Sequence, residues 1–76
     1  MSRLPQIRSR VLVGVVKKLG FKLRDQSGSH AVFTHHDGRK TTIPIHPKDT
    51  IGIGLLTKIV KKDLKIGRED FINLLK

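Results

Sequence analysis

Ser27-Gly28-Ser29-His30-Ala31-Val32-Phe33-Thr34-His35-His36-Asp37-Gly38-Arg39-Lys40-Thr41-Thr42-Ile43-Pro44-Ile45-His46 is the stretch whose reading decides the fold. Two runs rich in β-branched residues flank an Asp-Gly pair, which is the composition of a β-hairpin. Two turns fit it. A two-residue loop at Asp37-Gly38 pairs His36 with Arg39, sets Phe33 opposite Thr42 and scatters the apolar residues over both faces. A three-residue loop, His36-Asp37-Gly38, closes with Gly38 in the left-handed region as a G1 bulge and pairs His35 with Arg39. Ala31, Phe33, Thr41, Ile43 and Ile45 then share one face. A one-residue slip would invert a strand, so the single-sided apolar pattern selects the three-residue loop.

The opposite face of this hairpin carries His30, Val32, Thr34, Thr42, Pro44 and His46. His30 falls opposite Pro44, with His46 diagonal to it at a Cβ separation of roughly 7–8 Å. Two imidazoles thus project from one open patch. Solvated strand residues would give the same pattern, but Gly28-Ser29 immediately precedes His30. A glycine there lets the backbone turn tightly and lets a substrate approach closely. Pro44 cannot donate to a ladder, which makes its strand an edge.

Outward from the hairpin, Ser9 is the expected N-cap of a helix running to about Leu19. Val11, Leu12, Val15, Val16 and Leu19 form its apolar stripe, and Gly20 ends it. Phe21 to Asp25 alternates as a strand, with Phe21 and Leu23 inward and Lys22 and Arg24 on the open face beside His30. Edge lysines also guard against aggregation, so the two roles coincide. A second helix is expected from Gly52 or Gly54 to Lys62, with Leu55, Leu56, Ile59 and Val60 on one stripe and Lys58, Lys61 and Lys62 behind. Gly67-Arg68-Glu69-Asp70 opens a short terminal helix whose Phe71, Leu74 and Leu75 either dock on the core or meet a partner. The order α-β-β-β-α plus a short helix is an α+β fold: a three-stranded antiparallel sheet with helices on one face. Residues 1–76 form a single domain in this reading.

Sixteen Lys and Arg stand against six Asp and Glu, a net charge of +10. A basic excess this dense points to a polyanionic partner, nucleic acid first. Cysteine is absent, in keeping with a reducing compartment, and no apolar run approaches a membrane span. Both point to the cytoplasm. The four histidines lack carboxylates or thiols at ligand spacing, so neither a metal nor a cofactor is expected. His35 and His36 are adjacent, and strand alternation would send them to opposite sides.

Gly28-Ser29-His30, followed by this hairpin, by Ile43-Pro44-Ile45-His46 and by a helix opening at Gly54, resembles the HicA family of toxin ribonucleases. Lys18-Leu19-Gly20-Phe21 before it and Gly54-x-Leu56-x-x-Ile59 after it extend the resemblance from about Leu4 to Leu75. The resemblance implies a double-stranded-RNA-binding-like fold and a toxin of a type II toxin–antitoxin system. It also implies cleavage of messenger RNA by the histidine of the tripeptide, here His30, and a HicB-type antitoxin. The chain departs from the pattern at Leu55, where such toxins often have Thr, and at Gly67, where a Ser N-cap is common.

The residues suit that chemistry. RNA carries its own nucleophile, the ribose 2′-OH. A base must take its proton, an acid must protonate the 5′-oxygen, and cations must stabilise the phosphorane. Imidazole, titrating near pH 6.5, serves either proton transfer, and Lys or Arg serve the charge. His30 is the candidate catalytic residue, with Gly28, Ser29 and His46 in support and Lys22, Arg24 and Lys40 as RNA contacts. Two other classes compete: a non-catalytic RNA-binding module of the same fold, and an interaction protein whose basic surface holds an acidic partner.

Overall fold

The computed structural model describes Leu4 and residues 6–45 and 50–75. Along the chain run β1 (Ile7–Arg8), α1 (Ser9–Lys18), β2 (Lys22–Ser27), β3 (His30–Thr34), β4 (Lys40–Pro44), β5 (Thr50–Ile51), α2 (Ile53–Lys58) with a π-helical continuation Ile59–Leu64, and α3 (Arg68–Leu74). β2, β3 and β4 form an antiparallel sheet in that order, so β4 with its Pro44 is an outer strand, as expected. The hairpin register is the one the apolar pattern selects: Ala31 faces Ile43 and Phe33 faces Thr41. The turn is built accordingly. The His35 amide donates to the Arg39 carbonyl at 2.9 Å and the Gly38 amide to the His35 carbonyl at 3.0 Å, with Gly38 at φ +99°. At the other end of β3, Ser27 pairs with His30 around Gly28-Ser29. Gly28 has φ +58°, the first-position glycine of a type II′ turn.

Ala31, Phe33, Thr41 and Ile43 are buried on one face, against Leu12, Val15 and Val16 of α1 and Leu56, Ile59, Val60 and Leu64 of the second helix. α1 and the π-helical segment both pack on β4. Neither extends fully over β2. Leu23, expected inward, does share the face of Phe33, yet 49% of it is exposed. It borders an apolar groove whose other wall is Val13 and Lys17 of α1. Leu55 is likewise off the buried stripe, at 42% exposure. The second helix also runs past Lys62, because π spacing lines up residues five apart. Ile59 and Leu64 both reach the core that way, and half-buried Asp63 accepts a 2.9 Å hydrogen bond from the Thr41 hydroxyl.

The start of α1 corrects one expectation. Arg8, with extended φ −79° and ψ 155°, is the N-cap, and no side chain caps it. Ser9 is the first helical residue, buried, and its Oγ has no partner among the described residues. The cause is a pairing the sequence pattern did not suggest: β1 joins β5, with Ile7 facing Ile51 and Arg8 facing Thr50. Held extended in that ladder, Arg8 takes the N-cap position, so the helix begins at Ser9, one residue earlier than expected. The C-terminus follows expectation. The Gly20 amide reaches the Lys17 carbonyl and the Phe21 amide the Val16 carbonyl, each at 3.0 Å. With Gly20 at φ +101°, this is a Schellman cap. α3 docks on the core through fully buried Phe71, with Leu74 and Leu75 packed beside it. Lys18 Nζ donates to the Leu74 carbonyl at 3.0 Å, placing a cation at the negative end of that helix.

Candidate nucleic-acid interface

The β3–β4 turn is also a clamp. The His35 side chain is only 9% exposed, and its Nε2 lies 3.1 Å from the Leu19 carbonyl. A carbonyl can only accept, so Nε2 carries a proton and caps the end of α1. His35 Nδ1 faces Asp37, 3.1 Å from its amide and 3.0 Å from Oδ1. Arg39 does the same for the second helix: its guanidinium donates to the Leu64 carbonyl at 2.6 Å. That guanidinium also donates to Asp37 Oδ2 at 2.7 Å and lies 5.2 Å above the Phe21 ring centre. The Arg39 amide, and then its guanidinium, hold the Asp37 carboxyl below its usual range, outweighing partial desolvation. Neither His35 nor Arg39 was singled out by sequence reasoning. Both flank a turn signal, and nothing in the local pattern shows that they reach helix ends 16 and 25 residues away.

His36 belongs to the same cluster. Strand alternation predicted that His35 and His36 would point apart; instead their rings stack, centroids 4.3 Å apart at 30°. The correction has a simple source: β3 ends at Thr34, so alternation no longer governs the pair.

The open face is ordered in rows across the sheet. Lys22, Thr34 and Lys40 make one row, Asp25, Val32 and Thr42 the next, and Ser27, His30 and Pro44 the last. A β-bulge between Leu23 and Asp25 sets this pattern, since Leu23 faces Phe33 and Asp25 faces Val32. Arg24 is therefore the extra residue, and Asp25, an acid, takes the place opposite Val32 on this face. Bulges re-aim side chains in this way. Across two strand spacings, Lys22 and Lys40 are separated by roughly 10 Å between their backbones.

An open groove of about 820 Å³ lies over one end of this face. Lys22, Arg24 and Lys40 all line it, together with Asp25, Thr34, His35 and His36. The three cations are exposed, and none has a hydrogen-bond or ion-pair partner among the described residues. His30 is not in the groove. It stands exposed at the head of β3, with Gly28 and Ser29 before it, two residues beyond Val32 at the groove's inner end. The structure thus unites the three cations, keeps His30 on their face, and separates it from them by one row. His46, the remaining candidate, lies outside the described residues. Among the described residues no group of three or more metal-ligand side chains converges, and no helix is long and apolar enough to cross a membrane.

The residues described form a small basic α+β domain with one sheet face packed and the other open, cationic and headed by a histidine. The family described as the HicA toxin of bacterial toxin-antitoxin matches residues 9–66. The chain belongs to this family, and its three-stranded antiparallel sheet with helices is the double-stranded-RNA-binding-like architecture that the resemblance implied. No curated protein matches the sequence.

Proposed function

We propose that this protein is a metal-independent endoribonuclease that cleaves messenger RNA, with His30 as its catalytic residue. The observation that carries the reading is the position of His30: exposed, next to the Gly28 turn, on the sheet face that also holds Lys22 and Lys40, whose groove Arg24 joins from the bulge. RNA laid along this face passes from the cations to the imidazole. The 2′-oxygen attacks the neighbouring phosphorus as its proton passes to a base. The P–O5′ bond breaks as the 5′-oxygen takes a proton. The products are a 2′,3′-cyclic phosphate and a 5′-hydroxyl end, with no metal required because the nucleophile is the substrate's own. His30 performs one of these transfers, and His46 is the second imidazole the sequence offers for the other. Lys22, Arg24 and Lys40 bind phosphates, and the small Gly28-Ser29 turn leaves the backbone open beside His30.

Family membership supports a toxin held in check by a HicB-type antitoxin in the cytoplasm. An acidic partner covering the open face around His30 would meet the +10 charge and seat on Val32 and Pro44 as its dry centre. A second reading has one observation in its favour: the cationic groove sits at the end of β3 remote from His30. In that reading the protein binds RNA without cutting it. One experiment separates them. In EDTA the wild-type protein cleaves RNA, and folded His30→Ala loses on the order of 10²–10⁴ in rate. Equal cleavage by the folded variant removes His30 from the mechanism. Binding without cleavage by the wild type leaves the non-catalytic module.

A further inference from the structure

We propose that the stacked His35–His36 pair is a nucleobase platform, with His36 offering its ring to one unpaired base of a single-stranded RNA. The proposal rests on the reading of the open face as an RNA surface and names what part of the RNA is gripped at the groove's far end.

The chain has no Trp and no Tyr, and Phe21, Phe33 and Phe71 are all buried in the core. Any aromatic surface for a base must therefore come from imidazoles. His36 is exposed, and its ring rests on His35 at 4.3 Å. His35 is held in place: Nε2 by the Leu19 carbonyl, Nδ1 by Asp37, and its ring by a T-shaped contact with Phe21 at 5.1 Å between centroids. The outer ring is thus backed by a fixed one. A fixed ring loses little conformational entropy when a base settles on it. Both imidazoles line the groove that holds Lys22, Arg24 and Lys40. A base on the ring brings its own phosphates over those cations. Aromatic stacking with a cationic track beside it is how single strands are gripped without base-specific hydrogen bonds. From His36 the strand runs along β3 toward His30, roughly 20 Å away at the rise of an extended chain. The platform would set which phosphate reaches His30 by holding a nucleotide a fixed distance from it.

The test uses a short, uncleavable 2′-O-methyl oligonucleotide carrying one 2-aminopurine, and an otherwise identical oligonucleotide with an abasic position in its place. Wild-type protein should bind the base-containing strand more tightly and quench the 2-aminopurine emission. His36→Ala should lose about 5- to 150-fold for that strand, the range for one stacked base, with no change for the abasic strand. His36→Phe should restore both preference and quenching. His36 is exposed, and thermal melting verifies that each variant is folded. A folded His36→Ala that keeps the wild-type preference overturns the platform. Wild-type protein that binds neither strand overturns both the platform and the RNA reading. Tight, quenched binding with no cleavage of ordinary RNA removes the catalytic role of His30 and leaves the platform supported.

Discussion

Gly20→Ala should cost this protein about 2–3 kcal/mol, from two sources that the structure separates. Gly20 sits at φ +101°, where an L-residue pays about 1–2 kcal/mol in backbone strain. A Cβ there would also lie 3.0 Å from His35 Nε2, the atom that donates to the Leu19 carbonyl. Shifting that ring breaks a hydrogen bond worth about 0.5–1.5 kcal/mol. A chain of 76 residues is stable by about 4–11 kcal/mol at the usual per-residue scale. The substitution should thus remove a large share of the total and lower Tm by roughly 10–20 °C. Gly14→Ala is the matched control. Gly14 lies within α1, and its Cβ would meet nothing within 4 Å, so helix propensity should stabilise the protein by about 0.5–1 kcal/mol. Circular dichroism against temperature and urea reads both. If Gly20→Ala falls within about 0.5 kcal/mol of wild type, below the strain alone, the capping geometry assigned to Gly20 and His35 is wrong. The same conclusion follows if the two variants shift in the same direction.

Three further outcomes follow from the site. Removing Lys22, Arg24 or Lys40 one at a time should flatten the slope of log K against log salt for single-stranded RNA by about 0.7 each; unchanged slopes would mean the groove does not hold phosphate. Asp37 titrates below its ordinary 3.8 in the folded protein, so its ionised form favours folding above that pH, and the benefit is lost as pH falls through the folded value. Wild type should therefore exceed Asp37→Asn in stability near neutrality, the gap closing in acid; a gap independent of pH would refute the role given to its charge. Hydrogen exchange with a cognate antitoxin should show protection in residues 28–34 and 42–45, whereas protection confined to the helices would place the partner elsewhere.

What the sequence disclosed, and what it withheld, divides along one physical line. The hairpin register was legible because Phe33 and Ile43 are costly to expose and strand alternation leaves one arrangement that buries both. The Schellman end of α1 was legible because Gly20 is local to it. By contrast, β1 and β5 are two residues each, too short to show a period. The bulge at Arg24 carries no apolar signature, and the π turn that brings Leu64 inward departs from the spacing any helical template assumes. Leu55 fell on a helical stripe by count but not by contact. His35 and Arg39 were the deeper omission, since each acts through a helix end remote in sequence.

These two omissions bear on the site as well as the fold. The turn that selects the register is the turn whose His35 and Arg39 cap α1 and the π-helical end of the second helix, so register and caps are fixed together. Were β4 to slip by one residue, Lys40 and Thr42 would turn toward the core and Ile43 toward water. The same slip would pull Arg39 from the Leu64 carbonyl. Lys40 stays in a row with Lys22 because the core and the helix ends both forbid the alternative. An open sheet face usually specifies its register weakly on the solvent side. Here the clamp supplies what that side lacks, which is how exposed cations with no partner among the described residues can keep a fixed spacing for a phosphate backbone.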